Sequence, residues 1–365
     1  MTTDTPAFPA AHRSRFASGR AIVMLVMCVM AGTAQRGTPR TPLARATREL
    51  AYVTNEEGRT LSVIDTDNDQ VVATIPIGTR PRGVQVAAGG RLVYVALSGS
   101  PRCPPTMPDA ECSALKSDRS QDGVAILDAT TRKVTRVLPG GIDPEQFDLS
   151  PDGRQLYVSN EDVGKASVID VGSGRVIRQV AVGREPEGVR TSRDGRTVYV
   201  TSEGDDAVTA FDPRTGRVRG RVAVDKRPRD IAITGDGRRY YVSAEIGGSV
   251  SLVDARRGRV LQRIPLPAAA KPMGLALSPD GSRLFVAAGR GGTVEVIDTR
   301  TNRIVGSVPV GRRPWGIALT GDGRKLYVAN GPSNDVSVVD TRTLRVSTTI
   351  PVGSLPWGVA IGRAP

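Results

Sequence analysis

An all-β fold, a seven-bladed β-propeller of four-stranded antiparallel blades, follows from three features of the sequence. A pattern of about 42 residues recurs seven times. Each copy consists of short Val- and Ile-rich runs bounded by Gly, Asp and Pro. No helical periodicity interrupts the copies. Seven aromatic residues mark the repeats: Tyr52, Tyr94, Tyr157, Tyr199, Tyr241, Phe285 and Tyr327. The interval widens clearly only in the second copy, where an insertion occupies residues 98–121. The 365-residue length would accommodate more than one domain, but a closed ring needs every copy, so residues 49–365 form one domain.

The segment before the repeats reads as an export signal. Arg13, Arg15 and Arg20 form a basic start, Ala21 to Met30 an apolar run, and Ala31-Gly32-Thr33-Ala34 offers small residues for cleavage. The run is too short to span a bilayer; an uncleaved anchor is the alternative. Leu25-Val26-Met27-Cys28 is a poor lipidation signal because Met precedes Cys, and no twin arginine is present. Residues 1–34 are therefore expected to direct the chain to the periplasm or the extracellular space, with 35–48 as a flexible linker.

The third repeat shows how a copy becomes a blade. Leu156 to Asn160, Ala166 to Asp170 and Val176 to Val182 read as successive strands, and Val189 to Ser192 opens the next unit. Ser150-Pro151-Asp152-Gly153, Thr234-Gly235-Asp236-Gly237, Ser278-Pro279-Asp280-Gly281 and Thr320-Gly321-Asp322-Gly323 supply hairpin turns. The first copy begins at Tyr52, in the second strand of a blade. The chain ends on Pro356 to Ile361, a first strand with no blade after it. A C-terminal strand at about 356–362 should pair with the N-terminal blade and close the ring.

Composition removes several chemistries. The formal net charge of +13 would favour polyanions, anionic lipid or acidic proteins. The arginines are scattered through turns, however, with neither a block of like charge nor a basic amphipathic helix. The single histidine, His12, lies in the signal. That excludes a His-ligated zinc or copper centre, a Cys-x-x-Cys-His haem attachment and a histidine general base in the folded domain. Cys103 and Cys112 lie in the insertion and are expected to form a disulfide in an oxidising compartment; a redox-active pair would need closer spacing. No Gly-x-Ser-x-Gly elbow and no phosphate-cradling Gly-rich loop is present.

With Tyr52-Val53-Thr54-Asn55 and Val63-Ile64-Asp65-Thr66, the chain resembles the YVTN-family β-propellers over residues 49–362. Asp143-Pro144-Glu145, Glu185-Pro186-Glu187-Gly188, Arg227-Pro228-Arg229, the run from Ser243 to Val250 and that from Ser333 to Val338 are similar to secreted propellers associated with PQQ-dependent catabolism. The resemblance implies an accessory role beside periplasmic quinoprotein dehydrogenases and c-type cytochromes, one of which would be the partner. The insertion falls outside the repeat.

Two residue sets should share one rim, because the loop entering the first strand and the loop leaving the second open on the same face. The first set flanks seven prolines: Arg80 and Arg82, Asp143 and Glu145, Glu185 and Glu187, Arg227 and Arg229, Lys271 and Met273, Arg313 and Trp315, Leu355 and Trp357. The second comprises Asn55-Glu56, Asn160-Glu161, Ser202-Glu203, Ala244-Glu245 and Asn330. Exposed neutralising pairs, Arg82 with Asp143 and Glu187 with Arg227, are expected there. Trp315 and Trp357 either contact a partner or plug the channel. Glu145, Glu187, Glu203 and Glu245 could hold a structural Ca²⁺; no other metal, haem or catalytic residue is assigned. The reading is a monomeric, non-enzymatic binding or docking scaffold for a protein. The alternatives are a propeller hydrolase such as a lactonase with a cation at the channel mouth, and binding of single-stranded nucleic acid on the Trp residues. The last is disfavoured because acidic residues hold two adjacent sectors.

Overall fold

Each innermost strand begins at a proline. A residue without an amide N–H can open a strand but not sit within its ladder. Pro81, Pro144, Pro186, Pro228, Pro272, Pro314 and Pro356 each start the first strand of a four-stranded antiparallel sheet, and seven such sheets make the ring. The computed structural model describes residues 48–102, 107–108, 111 and 114–365. The signal segment, the linker before Arg48 and both Cys103 and Cys112 lie outside the described residues. Blade 1 contains Glu49–Asn55; blades 2 to 7 open at Pro81, Pro144, Pro186, Pro228, Pro272 and Pro314 in turn.

Closure occurs as the phase of the chain ends predicts. Pro356–Arg363 pairs antiparallel with Glu49–Asn55, placing Tyr52 opposite Ala360, and blade 1 takes one strand from the C-terminus and three from the N-terminus. Arg48 is drawn into the same blade through an ion pair with Asp65.

The Pro-x-Gly signature has a mechanical role. The register shifts between Pro186 and Val189, Pro228 and Ile231, and Pro314 and Ile317. Such a bulge re-aims the residue after the proline. The glycine then lets neighbouring inner strands meet: a Cβ on Gly274 would lie 2.5 Å from the Trp315 carbonyl oxygen, and one on Gly358 the same distance from that of Arg82.

The blades bury their apolar faces against one another. Tyr52, Tyr94, Tyr157, Tyr241, Phe285 and Tyr327, all on second strands, are almost fully enclosed. The hydroxyl in the Tyr-Val-Thr/Ser motif is a latch to the next blade. Thr54 Oγ1 donates to the Arg82 carbonyl at 2.7 Å, Ser159 Oγ to that of Glu187 at 2.6 Å, and Ser243 Oγ to that of Met273 at 2.5 Å. An aspartate at the end of each third strand, or just past it in blade 4, caps the turn, as where Asp128 accepts from the Thr131 amide at 2.9 Å and Asp254 from that of Arg257 at 2.8 Å. No helix among the described residues is long and apolar enough to cross a membrane.

Candidate functional site

The residue preceding each inner-strand proline occupies the left-handed region: φ is 40° at Arg80, 48° at Asp143, 49° at Glu185, 60° at Arg227, 51° at Lys271, 50° at Arg313 and 55° at Leu355. For a residue with a Cβ this costs roughly 1–2 kcal/mol. A backbone bond holds the conformation. At every strained residue but Arg80, the residue after the second strand donates its N–H to the strained carbonyl: Glu56 to Leu355 at 2.9 Å, Glu161 to Asp143 at 3.1 Å, Glu203 to Glu185 at 2.9 Å, Glu245 to Arg227 at 2.8 Å, Gly289 to Lys271 at 3.0 Å and Gly331 to Arg313 at 3.4 Å; beside Arg80 the Ser98 N–H bonds the Thr79 carbonyl instead, at 3.2 Å. This clamp brings the two residue sets to one mouth.

The residues after the prolines form a ring of seven: Arg82, Glu145, Glu187, Arg229, Met273, Trp315 and Trp357. All line a cavity of about 540 Å³ at the mouth. A second cavity of about 360 Å³ shares Glu187, Arg229, Met273, Trp315 and Trp357 and is otherwise lined by the inner strands, so the ring is the neck between them.

The charges at this neck are buried, contrary to the exposed rim expected from the sequence. Arg82 contacts Glu145, lies 3.3 Å from Glu56 and 3.5 Å from Glu161, and reaches Asp143 only at 4.0 Å. Glu187 pairs with Arg229 at 2.5 Å rather than with Arg227. Arg229 also holds Glu203, and Glu245 at 2.7 Å. Arg227, more exposed, bonds Glu203 at 2.5 Å. The side chain after the proline lies deeper than the one before it, and this determines the pairing. The carboxylates expected to hold Ca²⁺ are divided between two guanidinium groups. Asp143, Glu145 and Glu161 converge closely, but Arg82 stands among them as the cation.

Electrostatics separates these carboxyls. Burial pushes Glu203 up to about 9, with the negative charge of Glu187 adding and Arg229 opposing. Burial also raises Glu187, but Arg229 and the Glu203 carboxyl outweigh it and hold that group low. The shifts favour a single proton on this pair, carried by Glu203 beside the Glu187 carboxylate. Burial moves Glu161 to about 7 against the pull of Arg82, while Arg82 and the Ser98 hydroxyl overcome burial and lower Asp143. An acid with a raised pKa stabilises the fold fully below its ordinary value and loses that contribution as pH rises to the folded value. Wild-type stability should thus acquire a downward slope between about pH 4.5 and 9 from Glu203, which Glu203→Gln lacks. In melts at pH 5, 7 and 9 the variant should gain on the wild type progressively, by about 1 kcal/mol or more at pH 9. A pH-independent difference would refute the shared proton.

The aromatic sector is organised differently. Trp315 and Trp357 meet edge to face with centroids 6.0 Å apart. The Arg313 guanidinium lies 4.9 Å over the Trp315 ring and has no carboxylate partner among the described residues. Trp357 is buried and Trp315 half-buried, and the Trp315 indole N–H is enclosed without a hydrogen bond among the described residues.

Other expected rim residues fall elsewhere. Asn55, Asn160 and Asn330 are fully buried and brace adjacent strands through Ser62 at 3.0 Å, Ser167 at 2.6 Å and Ser337 at 2.9 Å. Their amides point into the blade because the second strand continues through them. Glu185 is exposed, and neither it nor Lys271, whose Nζ lies 3.5 Å from the Ile246 carbonyl, lines the cavity. The insertion overhangs the mouth: Arg80 donates to the Ser100 and Pro101 carbonyls at 2.7 and 3.2 Å, and Pro101, Arg102 and Leu115 line the cavity. Ser98, which bonds Asp143, and Arg119, which pairs with Asp162, were not singled out from the sequence. The departure of the insertion from the second-strand position was the available signal.

Residues 108–196 match the YNCE-like beta-propeller family, 162–261 the family of Outer membrane protein assembly factor BamB, and 240–359 the Cytochrome D1 heme domain. None of the curated proteins matches this chain. Among solved structures, Kuenenia stuttgartiensis hydrazine synthase is 22% identical with a TM-score of 0.65, covering 77% of this chain and 89% of its own. A functionally unknown protein from Desulfotomaculum acetoxidans is 16% identical, TM-score 0.71, covering 87% and 99%. A candidate 6-phosphogluconolactonase from Bacteroides fragilis is 18% identical, TM-score 0.71, covering 88% and 100%. Identities this low carry the fold alone. The donor set does not fit a histidine-ligated haem: the chain's one histidine is His12, and the neck offers guanidinium, carboxyl, indole and one thioether group.

Proposed function

We propose that this chain, a seven-bladed β-propeller repeat protein, is an exported, non-catalytic scaffold whose mouth docks a protein partner. One observation supports the reading most. The acidic and basic sectors of the neck neutralise one another, whereas Arg313 on Trp315, beside Trp357 and beneath the insertion, keeps its recognition groups free of acidic partners. Partly exposed Arg–Trp pairs in a pocket are the residue types that anchor interfaces. Neutralised carboxylates give the neck rigidity rather than a free nucleophile. The match of residues 162–261 to an assembly factor is consistent with a docking role, and the resemblance to PQQ-associated propellers favours a quinoprotein dehydrogenase or c-type cytochrome as the partner.

Pull-down from the periplasmic fraction with wild-type protein and with Arg313→Ala plus Trp315→Ala tests the site. Loss of a specific partner at unchanged melting temperature is expected. Equal recovery by both proteins would remove the mouth from the mechanism. The N-terminal sequence of the exported protein, expected to begin after Ala34, tests the localisation.

A further inference from the structure

On the face away from the mouth, the junctions that follow blades 2, 3 and 5 are each bridged by one residue of the outer strand. Arg136 donates to the carbonyls of Val171 and Gly172 in the next blade at 3.1 and 3.0 Å. Arg178 reaches the Arg214 carbonyl at 2.9 Å, and Gln262 accepts from Asn302 at 2.9 Å. These residues occupy the same register, opposite Ile126, Val168 and Leu252 of the third strand. Blade 6 has Gly306 there, but Leu344 of blade 7 fills the space, 2.6 Å from where a Cβ would stand.

Blade 4 breaks the pattern. Its residue, opposite Ala210, is Gly220, and a Cβ there would meet nothing within 4 Å. The junction between blades 4 and 5 opens as a groove of about 740 Å³. Tyr199 and Tyr240, with rings 4.8 Å apart, lie on its wall. Tyr240 replaces the aliphatic residue that precedes the repeat aromatic in the flanking blades, such as Leu284.

Six arginines face this groove against two aspartates. Arg219, Arg221 and Arg257 are paired with Asp212, Asp205 and Asp254. Arg193, Arg238 and Arg256 are exposed and have no carboxylate partner among the described residues. Neither groove aspartate forms an ion pair with them, although Asp236 lies close enough to Arg238 to feel its charge. Asp194 accepts from the Ser192 hydroxyl and the Arg196 amide, and Asp236 from the Thr234 hydroxyl and the Arg238 amide.

We propose that this groove binds an oligophosphate. Three unpaired guanidinium groups on separate turns suit a short ligand carrying several charges, and the planar guanidinium fork matches phosphate oxygens in a bidentate way. A single phosphate engages one of the three; a chain of phosphates engages them together. The site is independent of the mouth.

Calorimetric titration of inorganic tripolyphosphate into the full chain, beside orthophosphate and sulfate at equal ionic strength, tests it. Tripolyphosphate should bind one to one, more tightly than either monomeric anion, and more weakly as salt rises. Gly220→Gln copies the residue of blade 5 and fills the groove without altering charge. It should weaken binding about tenfold or more and leave the melting temperature unchanged or raised. Arg193→Ala with Arg238→Ala and Arg256→Ala, all on the surface, should abolish binding, whereas the mouth variant Arg313→Ala should not change it. Absence of binding to the wild type, wild-type affinity in the triple variant, wild-type affinity in a folded Gly220→Gln protein, or loss in the mouth variant would each overturn the assignment.

Discussion

Replacing Arg229 by Ala is expected to lower stability by about 3–5 kcal/mol, the range for stranding buried charge by removing one partner. Arg229 is the common partner of Glu187, Glu203 and Glu245, each almost inaccessible to water. Glu203 carries the proton of its pair with Glu187, so the variant leaves Glu187 and Glu245 as the unsatisfied anions. Arg227 gives limited relief from its 3.4 Å contact with Glu245. Equilibrium urea unfolding checks the magnitude, and two further outcomes identify the cause. The defect should shrink as pH falls and the stranded carboxylates bind protons. Adding Glu187→Gln should restore a large part of the loss, because removing both partners of a buried pair costs much less than removing one. A loss below about 1 kcal/mol would mean that the cluster behaves as a solvated surface pair.

A chain ending at Leu355 is expected to lose its cooperative unfolding transition altogether. The missing segment, Pro356–Arg363, is one quarter of blade 1 and contributes Trp357 to the neck. Without it, Glu49–Asn55 becomes an unpaired edge with a buried apolar face, a template for association. The gap also separates blades 7 and 2 from a neighbour, and domain stability of about 5–15 kcal/mol does not survive that loss. Circular dichroism and size-exclusion chromatography should report a partly folded, self-associating protein. A synthetic peptide covering residues 353–365, added in trans, should restore a monomer by completing the sheet. A monomeric truncated chain that melts at the wild-type temperature would contradict this account of closure.

The ring was legible because its cause is periodic. Repeated Tyr-Val pairs, aspartate-capped turns and strand-opening prolines each act locally, and seven copies reinforce one interpretation. The strand phase at the chain ends likewise foretold the pairing of Tyr52 with the C-terminal segment. The site was legible in membership but not in depth. Arg80 and Arg82 look equivalent around Pro81; only the bulge after the proline and the positive φ before it distinguish the deeper side chain from the outer one. That geometry pairs Glu187 with Arg229 instead of Arg227. Asn55, Asn160 and Asn330 mark strand ends in the sequence, where an amide suits an exposed loop equally well. Their inward direction depends on a serine two strand positions into the neighbour. The groove at Gly220 shows as a vacancy only when the register of each outer strand is known.

The strained residues before the prolines bear on how such a protein can diversify. Arg, Asp, Glu, Lys and Leu all adopt the same left-handed conformation there, held everywhere but at Arg80 by a main-chain bond indifferent to the side chain. Substitutions that keep a Cβ therefore change the chemistry presented at the mouth without changing the backbone requirement. These seven positions are natural targets for a combinatorial library, in which selection could alter what the mouth recognises while the ring is inherited intact.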